Sequence, residues 1–322
     1  MDVGSLTNVG GSISALQQLN VTAQNDITNQ FGSMTANDML RLTSTNGNVR
    51  NLSGLISGGD VTITANNIIS ETKVFQVGGD GNFADIAGLT AQITATSGAV
   101  TLNAVNNISF VGSDLSAVTG GSILAGGTID FAALNLESAA DRTGKGFTFE
   151  MQQSVAKVST INVTNGGLNI VSAQFGEDGN VTGGGDITFE GTQIAAAGAV
   201  NVAALGGAVT FAAAVNTFES DSSYKRSGWL SSSSGRDQRF DVVNTTASVT
   251  GETINILAKD DVAAFGTTFT TLGADGRTLT NAEAAAAGSL NVTSQEGDVL
   301  FYAVQDIHAR ASEHSSSSFG GI

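Results

Sequence analysis

Two histidines, His308 and His314, are the only imidazole groups of the chain, and both lie near its end. Imidazole nitrogens bind zinc, but a zinc site needs about three or four protein ligands, and no third ligand follows at a suitable spacing. The surrounding segment, DIHARASEHSSSSFGG, is rich in serine and in charged side chains. We therefore expect a solvated surface segment there, and we expect neither a metal ion nor another cofactor in the chain.

Neighbouring carboxylates could serve general acid–base catalysis if both side chains of a pair reached one substrate. Two such pairs are Glu177 with Asp178 and Asp260 with Asp261. Adjacent residues of a strand point to opposite faces of a sheet, so neither pair shares a site on a strand. The chain also contains no Walker motif and no GxSxG motif. We therefore predict no catalytic residues.

Three Asp-Gly turns could offer oxygen ligands to calcium: GGDGN at 78–82, GEDGN at 176–180 and GADGR at 273–277. Calcium takes about six to eight oxygen ligands, which is more than these turns provide. Asp and Gly are also the residues that tight turns favour. Turn formation is therefore the preferred explanation for all three.

The segment 222–239, SSYKRSGWLSSSSGRDQR, combines aromatic and guanidinium side chains, the types that dominate the binding energy of protein interfaces. It contains the only tryptophan of the chain. The candidate partner-binding residues are Tyr224, Lys225, Arg226, Trp229, Arg236 and Arg239. The alternative is that Trp229 covers an apolar side of the folded body while the basic residues are merely solvated.

The composition excludes several classes of function. The 322 residues include 13 Lys and Arg against 29 Asp and Glu, a formal net charge of −16, so we expect no nucleic-acid partner. The absence of Cys excludes disulfides, thiolate zinc sites and cysteine nucleophiles. Pro is also absent, and because Pro cannot donate to a strand ladder, its absence favours continuous β-structure.

A short repeat organises the chain: a Gly turn, an alternating apolar-polar triplet, a small residue, and then Asn, Asp or Gly before another apolar residue. The clear copies are GGDVTITANNI (58–68), SGAVTLNAVNNI (97–108), GGDITFEGTQI (184–194), AGAVNVAALGGAV (197–209), TGETINILAKDDV (250–262) and AGSLNVTSQEGDV (287–299). Strands this short cannot bury a core alone, so the units must stack.

The predicted fold is therefore all-β, a right-handed parallel β-helix (a solenoid) with extruded hairpins or loops. We predict an interior built from Val61, Ile63, Ala65 and Ile68 and from their counterparts in the next clear copy, Val100, Leu102, Ala104 and Ile108. The pairs Asn66-Asn67 and Asn106-Asn107 are placed at corresponding corners. With about 20 residues and about 4.8 Å per coil, the predicted rod is roughly 60–75 Å long.

Charged, Ser-rich segments interrupt the repeat, and we expect them to leave the solenoid as excursions. They are 71–85, 137–158, 219–241 and a truncated one at 308–322. The first three hold 8 of the 13 basic residues, which a buried coil could not accept. Residues 1–322 are otherwise expected to form one continuous solenoid segment of a larger protein.

Residues 191–218 contain no charged side chain, and the stretch is long enough for a membrane helix. Polar residues interrupt it, however, and Gly206-Gly207 indicates a turn between two alternating strands. We therefore expect the protein not to span a membrane.

The coil motif together with the run from ESDSSYKRSGWLSSSSG to HARASEHSSSSFGG resembles the haemagglutinin-repeat region of filamentous-haemagglutinin-like exoproteins, which include effectors of contact-dependent growth inhibition. The resemblance is strongest over about 184–322. It implies a right-handed β-helical shaft of a large secreted protein at the bacterial cell surface. It also implies two-partner secretion, with export through an outer-membrane β-barrel transporter, and a role in adhesion, biofilm formation or toxin delivery.

Two classes of function follow. The first is a non-enzymatic shaft segment of such an exoprotein, which meets a receptor or glycan on a target cell. The alternative is a β-helical carbohydrate-active enzyme or a tailspike-like glycan-binding protein. An enzyme of this kind needs charged side chains clustered along one groove, and the coil segments are nearly uncharged.

Overall fold

The computed structural model describes residues 1–272 and 288–318, which form 38 β-strands and contain no helix. Three sheets are entirely parallel and build the body of the molecule, here called the shaft. We call these three sheets A, B and C. Successive strands of the chain belong to A, B and C in turn, so each strand pairs with the equivalent strand of the preceding coil. The shaft is a right-handed parallel β-helix, which confirms the predicted fold.

Each sheet of the shaft contains one strand from nearly every coil. Sheet A consists of β1 Asp2–Val3, β4 Gln18–Ala23, β7 Met39–Ser44, β10 Asp60–Ala65, β15 Ala99–Ala104, β18 Gly120–Ala125, β23 Leu168–Ser172, β28 Val200–Ala204, β33 Ile254–Ala258 and β36 Leu290–Ser294. Sheet B consists of β2 Leu6–Val9, β5 Ile27–Gln30, β8 Val49–Leu52, β11 Ile68–Glu71, β16 Ile108–Val111, β19 Ile129–Ala132, β26 Ile187–Glu190, β29 Val209–Ala212, β34 Val262–Phe265 and β37 Val299–Tyr302. Sheet C consists of β3 Ser12–Ala15, β6 Ser33–Ala36, β9 Leu55–Gly58, β14 Gln92–Ala95, β17 Asp114–Ala117, β22 Thr160–Val163, β27 Gln193–Ala196, β32 Ser248–Gly251 and β35 Thr268–Thr271.

Two further sheets are antiparallel. The larger, here called the hairpin sheet, consists of β12 Val74–Gly79, β13 Asn82–Ala87, β20 Leu134–Gly144, β21 Phe147–Lys157, β30 Ala214–Ser227, β31 Ser231–Thr245 and β38 Ile307–Ser318. The smaller consists of β24 Gln174–Phe175 and β25 Val181–Gly183.

The alternation of apolar and polar residues decides which side chains enter the shaft. Val61, Ile63, Ala65 and Ile68 are buried, and each pairs in register with its counterpart, as Val61 does with Val100. The predicted interior is thereby confirmed.

The shaft is shorter than the predicted rod. Ten strands of a sheet at about 4.8 Å per strand extend over about 45 Å, not 60–75 Å. The prediction was wrong because it counted all residues as coils, whereas the antiparallel strands take a large part of the chain out of the shaft.

One corner of the coils is held by side-chain oxygens that accept hydrogen bonds from the neighbouring coil. The Asn67 side chain donates to Asn48 Oδ1 over 2.7 Å and accepts from the backbone N–H of Asn107 over 3.1 Å. Further along, the Asp261 carboxylate only accepts, from the backbone N–H of Asp298 over 2.8 Å. The Asn and Asp residues predicted at corners therefore join successive coils.

A buried ladder of asparagines occupies one inward position of sheet B in the first coils. Asn8 Nδ2 donates to Asn29 Oδ1 over 2.8 Å, and Asn29 Nδ2 donates to Asn51 Oδ1 over 3.0 Å. Asn29 also donates to the backbone carbonyl of Gly32, and Asn51 to that of Gly54. The buried amides are thus satisfied by each other and by the turns that they hold.

The same inward position holds phenylalanine in later coils. Ser70 follows Asn51 in register, and Phe110, Phe131, Phe189 and Phe211 follow Ser70. The centroids of successive rings are 4.9, 5.3 and 4.9 Å apart, and the ring planes are nearly parallel. All four rings are fully buried. Equivalent side chains stack because the coils repeat in register.

The uncharged stretch 191–218 consists of shaft strands β27, β28 and β29 followed by the start of β30. The predicted turn at Gly206-Gly207 lies between β28 and β29. No helix that could cross a membrane is present within residues 1–272 and 288–318.

We expect Phe131→Ala to destabilise the shaft by about 3–5 kcal/mol, because it opens a cavity between two stacked rings that cannot close around it. The urea midpoint of the unfolding transition measures this loss. Phe175→Ala is the matched control: Phe175 is 55% exposed, so its loss should cost less than about 1 kcal/mol. Equal losses in the two variants would contradict the importance of the stack.

We expect Asn29→Ala to cost about 2–4 kcal/mol, because it leaves the Asn8 amide and the carbonyls of Gly32 and Leu55 without their buried partners. Asn201→Ala removes two hydrogen bonds, with Asn169 and Asn255, from a similar ladder on the outer surface of sheet A. Water replaces those bonds, so we expect a loss below about 1 kcal/mol. Thermal melting of both variants checks the contrast, which would fail if Asn201→Ala were the more damaging.

Candidate functional site

The charged, Ser-rich segments lie in antiparallel hairpins that leave the shaft from one corner. Each begins after a strand of sheet B and returns to sheet C: β12 and β13 connect β11 to β14, β20 and β21 connect β19 to β22, and β30 and β31 connect β29 to β32. The strand β38 likewise follows β37 of sheet B. Because the coils are stacked, hairpins from one corner emerge side by side.

Side by side, the hairpins pair with one another. The strand β21 pairs with β30 from Phe147 opposite Tyr224 to Ser154 opposite Thr217. The strand β31 pairs with β38 over twelve residues, from Ser231 opposite Ser318 to Val242 opposite Ile307. Between the first two hairpins, only two residue pairs of β13 and β20 are in register, and the backbone N–H groups of Glu137 and Asp141 donate to Asp85 and Asn82 on either side of them. Sequence reasoning placed the segments outside the solenoid but did not find this shared sheet.

The first hairpin turns at Asp80 and Gly81, whose φ angles are +50° and +77°. Two residues in the left-handed region are typical of the tight turn that joins antiparallel strands. In the second Asp-Gly turn, the Asp178 carboxylate accepts from Asn180 Nδ2 over 2.7 Å, and this hydrogen bond lowers the pKa of Asp178. Both turns use their acidic residues locally. The third, 273–277, lies outside the described residues.

The hairpin sheet has two chemically different faces. Cross-strand partners share a face and alternate residues of a strand do not, so the register assigns every side chain. We call one side the arginine face; it consists of Arg142, Phe147, Phe149, Phe218, Tyr224, Arg226, Asp237, Arg239, Asp241, His308, Arg310 and His314. We call the other the acidic face; it contains Asp85, Glu137, Asp141, Glu150, Glu219, Asp221, Glu313, Lys225 and Arg236.

The structure divides the predicted partner-binding residues among three places. Tyr224, Arg226 and Arg239 lie on the arginine face, whereas Lys225 and Arg236 lie on the acidic face. Trp229 lies in the turn between β30 and β31 and is 96% exposed, so it does not cover the shaft. The six residues are close in sequence, but the fold divides them into a group of three, a pair and the isolated Trp229.

Arg236 is engaged with its own neighbours. Its Nε lies 3.0 Å from Asp221 Oδ1, and Gln238 Nε2 donates to Asp221 Oδ2, also over 3.0 Å. The hydrogen bond from Arg236 lowers the pKa of Asp221 and raises that of the guanidinium. Arg236 therefore braces β30 against β31 on the acidic face.

Aromatic rings occupy the space above two glycines near the tip of the arginine face. The Phe147 ring lies over Gly144, and the rings of Tyr224 and His314 both lie over Gly235, where a side chain would collide with them. The centroids of Tyr224 and His314 are 6.2 Å apart with the planes inclined by 32°. We call this set, Phe147, Tyr224 and His314, the ring shelf.

Arginines flank the rings on the same face. The guanidinium carbon of Arg226 is 5.9 Å from the Tyr224 centroid, and that of Arg239 is 4.9 Å from the Phe218 centroid. Cations at these distances are attracted to the faces of aromatic rings. The rings therefore hold guanidinium groups at the surface without neutralising their charge.

At the base of the arginine face, Asp241 is buried between two partners. His308 Nδ1 lies 2.9 Å from Asp241 Oδ1, and Arg239 forms an ion pair with the other carboxylate oxygen. The hydrogen bond with His308, followed by the contribution of Arg239, lowers the pKa of Asp241 against the opposing effect of burial. This carboxylate therefore joins β31 to β38.

Both histidines lie on this sheet rather than in an isolated segment. His314 Nε2, on the ring shelf, lies 3.4 Å from Oδ1 of Asp237, which is two residues along β31 from the partner of His314. Within the described ranges, no three His, Asp or Glu side chains come close enough to hold a metal ion. Sequence reasoning missed the histidines, Phe147 and Arg142 as members of this face because their neighbours come from other hairpins.

Comparison with known proteins gives a partial match. No family model matches the chain, and no solved structure matches it significantly. The tRNA nuclease CdiA of Yersinia mollaretii is 31% identical over 195 residues, which cover 55% of this chain and 6% of that protein. The chain therefore spans a small fraction of the length of the curated relative that it matches. The resemblance to contact-dependent inhibition exoproteins is thus supported over part of the chain.

Acid should weaken the pairing of β31 with β38. Because the pKa of Asp241 is lower in the folded protein, its carboxylate stabilises the fold above the ordinary value of 3.8 and loses that effect as the pH falls through the folded value. Amide hydrogen exchange of β38, followed from about pH 5 to about pH 2, measures the loss. In Asp241→Asn, β38 should exchange faster at pH 5 and lose less protection on acidification; an identical pH profile would contradict the assignment.

Proposed function

We propose that this chain is a non-enzymatic shaft segment of a large secreted exoprotein at the bacterial cell surface, which serves adhesion or contact-dependent toxin delivery. The observation that supports this most directly is a parallel β-helix with a side-chain-filled interior, in a chain that is similar to part of CdiA. We further propose that residues 1–322 form one continuous segment of the shaft, with the excursions as its outward surface.

A shaft works through geometry. Each coil adds about 4.8 Å, and every internal strand is paired on both sides, so the body resists bending and leaves few edges for aggregation. Side chains fill the interior, so the helix serves as a support rather than a channel. The hairpin sheet then provides the surface that varies from one segment to another.

The proposed partners follow from export and contact. An outer-membrane transporter of the two-partner type would pass the chain outward, and the absence of Cys suits this step because disulfides would close loops that cannot thread a narrow pore. A receptor or glycan of the target cell would then meet the hairpin sheet. Tyr224, Arg226 and Trp229 are its proposed contacts, since they lie on the arginine face or at its tip.

The nuclease activity in the name of CdiA is proposed to reside outside the stretch that this chain matches. The matched stretch is only 6% of that protein, so most of CdiA is left to carry the nuclease. Incubating the purified chain with tRNA, and separately with polysaccharide, should therefore release neither nucleotides nor reducing sugars. Cleavage of either substrate would contradict the non-enzymatic proposal.

The deletion of one whole coil tests the shaft. Residues 108–128 form a coil without a hairpin, and their removal brings Ile129 to the register position of Ile108, since the two are paired. We expect this variant to keep its fold and to shorten by about 4.8 Å in small-angle scattering. Deletion of 108–117 alone removes two of the three strands of that coil and should lower the melting temperature sharply.

The role of the shaft in the cell is tested in the similar protein, CdiA. A CdiA of Yersinia mollaretii in which the matched stretch is replaced by this chain should still reach the cell surface and inhibit target cells, as should its one-coil deletion. Loss of surface display with the intact chain, but not with the native stretch, would overturn the shaft role.

A further inference from the structure

The arginine face concentrates positive charge on an otherwise acidic protein. Four arginines lie there beside two aspartates, whereas the acidic face carries seven carboxylates and only two cations. Asp241 is paired with Arg239 and His308, whereas Asp237 lies 3.4 Å from His314, is half-exposed and remains a single acidic group among the arginines. The sheet therefore separates charge across its thickness, and an anion would meet only one side of it favourably.

Three of the four arginines are available to a ligand. Within residues 1–272 and 288–318, no carboxylate forms an ion pair with Arg142, Arg226 or Arg310. A guanidinium group presents a planar fork of donors that matches a carboxylate, sulfate or phosphate. The three lie on β20, β30 and β38, so they are distributed across about 19 Å of sheet.

The ring shelf lies between these cations. Phe147 and Tyr224 are direct cross-strand neighbours, and the glycines under the rings leave the space that the rings occupy. Phe147 is 50% exposed, although it packs against no part of the shaft core. Neighbouring aromatic rings at the surface suit a ligand with apolar faces of its own, and the pyranose rings of sugars have such faces.

We infer that the arginine face binds an anionic oligosaccharide, with sugar rings on the ring shelf and acidic substituents on Arg226, Arg142 and Arg310. The width of the face fits several linked sugars rather than one. The net charge of the chain does not prevent this, because charges on the shaft beyond about 8 Å are screened at physiological salt. The inference rests on the proposed interaction role of the hairpin sheet, and it does not depend on the shaft role.

Adjacent residues on opposite faces give a matched test. Arg226→Ala and Lys225→Ala each remove one positive charge from the same end of strand β30, but only Arg226 lies on the arginine face. Titration calorimetry of the full chain with a heparin octasaccharide, an octagalacturonate and maltooctaose supplies sulfated, carboxylated and neutral probes. Melting temperature and circular dichroism confirm that each variant is folded.

We expect at least one anionic probe to bind, and maltooctaose to bind at least about tenfold more weakly. Arg226→Ala and Tyr224→Ala should each weaken binding about tenfold, Tyr224→Phe should keep most of it, and Lys225→Ala should change it less than about twofold. The probe that binds more tightly identifies the acidic group as sulfate or carboxylate.

Three results would overturn the inference: no binding of either anionic probe, equal binding of maltooctaose, or equal losses for Arg226→Ala and Lys225→Ala. None of them affects the one-coil deletion, so failure of the glycan site and failure of the shaft proposal are distinguishable. Binding of a protein from the target cell to the same face, with no affinity for either anionic probe, also counts against the oligosaccharide.

Discussion

Parallel stacking in register is the constraint on which the rest of this structure depends. Each inward side chain lies directly above its counterpart one coil away, so a run of polar or bulky residues at one inward position must pack or hydrogen-bond with its own kind. Asparagines meet this condition by donating and accepting at once, and phenylalanines meet it by stacking their rings. Ser70, whose hydroxyl has no partner within the described chain, separates the two solutions.

The same constraint makes the outer sheet possible. A solenoid can release a hairpin at a corner without disturbing the pairing of its coils, and the released hairpins inherit the spacing of the coils below them. Their polar and charged side chains would be costly inside the shaft, but outside it they pair across strands. The separation of charge between the arginine face and the acidic face therefore arises from strand alternation alone, acting on residues from three hairpins and one final strand.

Much of the shaft could be predicted from the sequence because its rules are local. The spacing of Val61, Ile63, Ala65 and Ile68 identifies the inward face, and Asn67 marks a corner. The length of the shaft could not be predicted in the same way, since the size of each hairpin depends on how far its strands extend beyond the charged segment. The arginine face was only partly predictable: the opposite orientation of Lys225 and Arg226 follows from their adjacency, whereas the meeting of Tyr224 with Phe147 and His314 requires the lateral pairing of hairpins 70 or more residues apart.

The uneven pairing within the hairpin sheet has a mechanical consequence. Twelve residue pairs join β31 to β38 and eight join β21 to β30, but only two join β13 to β20. Where the pairing is extensive, rotation of one coil against the next would shear a row of backbone hydrogen bonds outside the shaft, so the hairpin sheet resists torsion. Between β13 and β20 the pairing is shortest, although Asp85 and Asn82 accept two further hydrogen bonds from the backbone of β20. Resistance to twisting is therefore lowest between the first and second hairpins, in the coils where the inward position changes from asparagine to phenylalanine.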